Sequence, residues 1–195
     1  VPAEWKKRKV NIVFDGSMTD TEVKINGRSA GPKHQGAFYR FRYDISRLLK
    51  YGEENLLEVT VHKASSNQTV EQAERNADFW VIGGIFRPVW LEALPQKHIE
   101  RVAIDARADG SFNMDVFLGK ALGKGELVAQ VKTMDGRDYG SPIRKSIHKQ
   151  DSLRLDATFA SPALWSSEFP NRYQVEVTLW ENGQLKHCLT EKFGF

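Results

Sequence analysis

The stretch "VNIVFDGSMTDTEVKING", residues 10 to 27, decides the fold class of this 195-residue chain. Val10, Ile12 and Phe14 alternate with Asn11 and Asp15, and Val23 and Ile25 lead into Asn26-Gly27. A period of two predicts half-buried strands, and Asn-Gly supplies the positive φ of a tight hairpin turn. The same alternation returns at Leu57, Val59 and Val61. Beyond residue 100 it continues through Val102 and Ile104, then Phe112, Met114 and Val116, then Leu127, Ala129 and Val131. Leu153, Leu155 and Phe159 come next, and Tyr173, Val175, Val177 and Leu179 end at Asn182-Gly183. Short strands punctuated by Asp109-Gly110, Asp135-Gly136 and Asn-Gly predict antiparallel sandwiches. The fold class expected is all-β, with two β-sandwiches parted at Pro95: residues 1–95 and 96–195.

Two segments depart from the strand pattern. In "YDISRLLKYGEEN" Asp44 has the position of an N-cap before one helical turn closed by Gly52. From Ala64 to Arg75 the chain is polar and reads as a long loop, of the kind that often carries function.

Composition excludes several classes. The 28 basic residues are interspersed with 25 acidic ones, so no basic stripe marks a nucleic-acid partner. The run Lys6 to Lys9 reads as a solvated strand edge. No segment reaches the roughly 18 apolar residues of a membrane span. With one cysteine no internal disulfide can form, and Cys188 reads as a small buried hydrophobe. Periplasm and cytoplasm both stay open as locations.

Catalytic chemistry is hard to place. Glu71 and Glu74 share the polar loop and read as solvated charges, not as the rigid carboxylate pair of a glycosidase. The five histidines (His34, His62, His98, His148, His187) have no metal-ligand spacing, so no metal or cofactor is expected. No residue is assigned a catalytic role.

Longer blocks carry more information. Residues 10–61 contain a strand ending F-x-G, then V-x-x-N-G-x-x-x-G, H-x-G-x-F, D-I and a closing N-x-L-x-V strand. "DFWVIGGIFRPVWL", "PALWSSEFPNRYQVEVTL" and "EKFGF" follow in order. Together they resemble the N-terminal region of a glycoside hydrolase family 2 enzyme of the β-galactosidase type. The resemblance implies a galactose-binding-like jelly roll, lacking its first strands, followed by an immunoglobulin-like sandwich. It also implies that the paired catalytic glutamates lie on a (β/α)₈ barrel outside these residues. The expected partners are the carbohydrate substrate of the whole enzyme and that barrel. An edge exposed by missing strands would also favour self-association into a homo-oligomer.

The resemblance bears on "NADFWVIGGIFRPVW", residues 76–90. It implies that Asp78 reaches the barrel mouth to hold a terminal sugar or a nearby cation, with Asn76 as its neighbour. A loop cap or a solvated charge is the other reading of Asp78, and both stay open. Phe79, Trp80, Ile82, Ile85, Phe86, Val89 and Leu91 are expected mostly in the core. Gly83 and Gly84 should supply a positive-φ bend, Arg87 a structural ion pair or carbonyl contacts, and His34 a structural turn contact. Trp90, Trp165 and Trp180 flank apolar positions, which argues against a free-standing carbohydrate-binding module; a structural spacer is the third reading.

Overall fold

A computed structural model describes residues 1–76 and 82–195. The chain divides into two compact units, Val1–Leu94 and Pro95–Phe195.

In the first unit a 3₁₀ turn, Ala3–Lys7, leads into β1 (Lys9–Phe14), β2 (Ser17–Met18), β3 (Asp20–Ile25) and β4 (Arg28–Ser29). Strands β5 (Phe41–Asp44) and β6 (Leu57–His62) follow, then helix α1 (Gln68–Arg75), β7 (Gly84–Ile85) and β8 (Val89–Leu94). Pairing is antiparallel throughout, in the orders β5-β1-β8, β4-β3-β6 and β2-β7. Val10, Ile12 and Phe14 of one three-stranded sheet meet Val23 and Ile25 of the other in a core that includes Ile45. Asn26 and Gly27 turn β3 into β4 with φ of 53° and 77°.

The opposite face of β1 is buried as well, beyond the half-burial expected. Asn11 and Val13 are each 1% exposed. Their register partners close over them: Glu92 and Asp44 beside Asn11, Trp90 and Arg42 beside Val13. Asn11 donates to Glu92 at 2.8 Å, and Arg42 pairs with the same carboxylate at 3.3 Å.

In the second unit β9 (Ile99–Ala106), β10 (Ser111–Thr133), β11 (Ile143–Thr158), β12 (Tyr173–Glu181) and β13 (Gln184–Phe193) are all antiparallel. The two strands expected within residues 112–131 are one long strand. Its first half pairs with β9 and the end of β11, its second half with β12 and the start of β11, and the register slips between Phe117 and Leu122. Inward residues of both halves join Leu153, Leu155, Val175, Val177 and Leu179 in one core. At one end of that core Phe112, Phe159, Phe193, Phe195, Tyr139 and Tyr173 pack as a continuous aromatic cluster.

Several expectations fail locally. Residues 68–75 form a two-turn helix where a loop was expected, with the Asn67 side chain at its N-cap accepting from Thr69 N and Val70 N. Asp44, in contrast, caps only a turn: its carboxylate accepts from Ser46 N at 3.0 Å, and Gly52 has φ 81°. Ile82, Ile85 and Leu91 are exposed rather than core, at 71%, 45% and 39%. The two-residue β7 pairs only with β2 among the described residues, too short a ladder to bury Ile85. Cys188 is exposed, because its neighbour Leu189 takes the inward position of β13. Trp165 and Trp90 are exposed too, at 54% and 38%.

Candidate functional site

Asn76 is the C-cap of α1, its backbone N–H bonded to Gln72 O at 3.1 Å and its side chain in solvent. Asp78, Phe79 and Trp80 lie outside the described residues; the described part of the site is Asn76 and the groups that hold its helix. Glu74 is the one buried residue of α1, so little apolar surface fastens this helix. Polar contacts do so instead.

The contacts converge on Asp20, which opens β3 and is 1% exposed. Its Oδ1 accepts from Ser65 Oγ at 2.6 Å. Its Oδ2 accepts from Ser66 N at 2.9 Å, Ser66 Oγ at 2.7 Å and Gln35 Nε2 at 3.1 Å. Lys33 Nζ stands 4.0 Å away. Burial alone would raise the Asp20 pKa, but the hydrogen bonds from Ser65, Ser66 and Gln35 outweigh it and hold the carboxyl well below the usual carboxylate range. Asp20 is therefore a buried anion, stabilised by donors that all belong to two loops.

Those loops grip both ends of α1. Ser65 and Ser66 immediately precede the Asn67 cap, and Ser65 N donates to Glu71 Oε2 at 2.6 Å. Glu71 in turn pairs with Arg75 one turn along. At the other end, Glu74 Oε1 accepts from Ala37 N at 2.5 Å, tying the helix to the loop that carries Gln35. His34 closes that loop: its Nε2 bonds Gly36 O at 2.9 Å and its ring stacks on Phe41 at 3.7 Å. Burial keeps its imidazole below the ordinary value, against the opposing pull of Gly36 O, Asp20 and Glu74. The structural role expected for His34 is the one observed.

Glu71 and Glu74 are thus neither a catalytic pair nor solvated charges. Each holds a backbone N–H of a different loop. Sequence reading passed over Asp20 because a lone Asp opening a strand carries no motif; the Ser65-Ser66 pair before an N-cap was the available cue. Beyond this loop system, Gly83 and Gly84 have φ of 81° and 85°, and Arg87 reaches Asp15 O at 3.4 Å and Phe38 O at 3.5 Å. Among the described residues no group of three or more His, Cys, Asp or Glu could hold a metal ion.

Comparison with known proteins places these units in context. The family model described as "Glycosyl hydrolases family 2, sugar binding domain" matches residues 1–95, and "Glycosyl hydrolases family 2" matches residues 97–195. The chain is 28% identical to a β-galactosidase of Thermoanaerobacter pseudethanolicus, covering 100% of this chain and 27% of the relative. It is 31% identical to a β-galactosidase of Clostridium acetobutylicum, covering 100% and 21%. The structure of a β-glucuronidase from Bacteroides uniformis superposes with a TM-score of 0.85 at 23% identity, over 100% of this chain and 25% of that one. The chain therefore spans about a quarter of the length of the relatives it matches.

Proposed function

The chain belongs to glycosyl hydrolase family 2, and we propose that it is the sugar-pocket wall of a retaining, β-galactosidase-like exo-glycosidase. In that reading two glutamates on a catalytic barrel act as acid/base and nucleophile. The sandwich pair packs on the barrel and presents the segment from Asn76 through Asp78 to the terminal sugar. The supporting observation is the polar harness of α1. Glu71 and Glu74 are committed to holding the helix, which leaves exposed Asn76 at its end available to a hydroxyl-rich ligand. A carboxylate at Asp78 would add charge-assisted bonds to sugar hydroxyls.

Asp78→Ala in the intact protein tests this with aryl galactoside and aryl glucuronide substrates. The expected result is a fall in kcat/KM of about 10- to 100-fold, the size of one lost hydrogen bond to a charged group, with melting unchanged. Equal kcat/KM in variant and wild type on both substrates would remove Asp78 from the pocket.

Exposure of Trp165 and Trp90 keeps a second reading in view, a carbohydrate-binding module acting without a barrel. The two indoles belong to different units, and Trp90 Nε1 is bonded to Asp15 at 3.3 Å while Arg40 lies 6.0 Å from its ring. Calorimetric titration of this chain with galactose, glucuronic acid and mannose separates the readings. Micromolar binding favours the module, and no binding tighter than millimolar favours the pocket wall.

A further inference from the structure

We infer that Asp20 is the positioning residue of this site: by clamping the loops at both ends of α1 it sets where Asn76 stands. This rests on the pocket-wall reading above, but its structural half can be tested without it.

Apolar packing does not hold the helix. Val70 is only half-buried and Ala73 is exposed, so α1 has no apolar stripe to bury, and an eight-residue helix without tertiary packing is marginal in water. Its orientation must come from directed polar contacts, and these trace back to one carboxylate. From the N-terminal end, Asp20 fixes Ser65 and Ser66, and Asn67 N donates to Ser65 Oγ at 3.2 Å. From the C-terminal end, Asp20 fixes Gln35, which also donates to Ser66 Oγ at 3.0 Å, and the same loop supplies the Ala37 N–H that Glu74 accepts. The two loops are thus joined to each other as well as to β3. Asp20 itself cannot drift. It starts a strand whose residues from Asp20 to Ile25 pair in register with His62 to Leu57.

An anion is the right group for this task. It is an acceptor only, so its lone pairs can meet two hydroxyls, an amide N–H and a side-chain amide together. Asparagine has nearly the same shape but offers one acceptor oxygen, and its NH₂ would face donors. Asp20→Asn should therefore release the loops while leaving the sheet intact.

The test is hydrogen–deuterium exchange on the intact protein, wild type against Asp20→Asn, paired with steady-state kinetics on an aryl galactoside. Amides of residues 65–76 should exchange about 100-fold faster in the variant, as loss of two charge-assisted bonds predicts, while β1, β3 and β10 keep wild-type rates. KM should rise about 10-fold with kcat little changed, as for a displaced binding group. Ser66→Ala removes the Oγ donor and leaves the backbone bond; it should give the same pattern at smaller amplitude, and it serves if Asp20→Asn does not fold. Unchanged exchange over residues 65–76 overturns the clamp, and so does acceleration spread evenly through β1 and β3, which would make Asp20 an ordinary fold residue. Local acceleration with KM unchanged upholds the clamp and sinks the sugar-pocket reading on which its role in binding rests.

Discussion

The two units solve the problem of holding a β-sandwich in different ways. The second is built on a broad apolar core running from Ile99 to Phe195, reinforced by stacked aromatics. The first has a smaller core, centred on Val10, Ile12, Phe14, Val23, Ile25 and Ile45, and attaches its helix through Asp20, Glu71 and Glu74. Apolar packing is non-directional and tolerant, whereas a network of hydrogen bonds holds groups at fixed angles and distances. The difference fits the proposed function, in which the first unit aims a binding segment.

The largest expected effect lies in the second unit. Phe112 is fully buried and touches the rings of Phe159, Phe193 and Phe195. Phe112→Ala should cost about 3–5 kcal/mol, read from urea unfolding. A loss under 1 kcal/mol would mean that the aromatic cluster collapses onto the gap, and the contrast between the units would weaken. Gly110 is a backbone counterpart. It has φ 85°, and a Cβ there would collide with the Phe159 carbonyl, so Gly110→Ala should cost about 1–3 kcal/mol.

How much of this contrast could be read from sequence follows from its physics. Alternation at Val175, Val177 and Leu179 reports which face meets a core, so the second unit was legible almost strand by strand. The continuity of β10 was not legible, since no apolar alternation joins Val116 to Leu127 across the register slip between Phe117 and Leu122. In the first unit strands β1, β3 and β6 were legible and the harness was not. Asp20 binds residues 15 and 45 to 46 positions away, and no local pattern reports a carboxylate's distant partners. Ile82 and Ile85 failed for a related reason. Their apolar character was clear, but burial depends on the ladder that carries a residue: β7, which holds Ile85, is two residues long, and Ile82 lies outside it. The resemblance to family 2 supplied Asp78 and Asn76, which composition and periodicity would have left as loop residues.

Acid should act on the first unit through Asp20. In the folded chain its carboxyl titrates below the ordinary 3.8, held down against the upward push of burial by Ser65, Ser66 and Gln35. The unfolded chain therefore takes up this proton first. Asp20 contributes its full stabilisation above pH about 4, and loses it as pH falls from there toward its lowered native value. Lys33 and His34 face it from the neighbouring loop, and Glu22 shares Lys33. Unfolding of wild type between pH 5 and 2 should steepen relative to Asp20→Asn, which has no such proton to bind. Parallel curves would show that Asp20 is not held as an anion.

A smaller, strictly local loss is expected at Glu74. Glu74→Ala leaves the buried Ala37 N–H without its acceptor, at a cost of about 1–3 kcal/mol, whereas Glu74→Gln keeps an oxygen in place and should cost less. If the two variants are equally stable, the bond to Ala37 is not what fastens the C-terminal end of α1, and the clamp would have to act from the Ser65-Ser66 side alone.

The mildest perturbation discriminates best between a helix held by its own capping and one held by the harness. Asn67 Oδ1 accepts from Thr69 N at 3.0 Å and Val70 N at 3.4 Å, a cap worth about 1 kcal/mol. In a helix that depended on its cap, Asn67→Ala would melt α1 and free Asn76. Here Glu71 still ties the first turn to Ser65, and Glu74 still ties the last to Ala37. Exchange should therefore quicken only about 5-fold at Thr69 and Val70, and much less at residues 73–76. Equal acceleration along the whole helix would show that α1 opens as one unit whenever its first turn loosens. Asp20 would then act on Asn76 only through the N-terminal end, by way of Ser65 and Ser66.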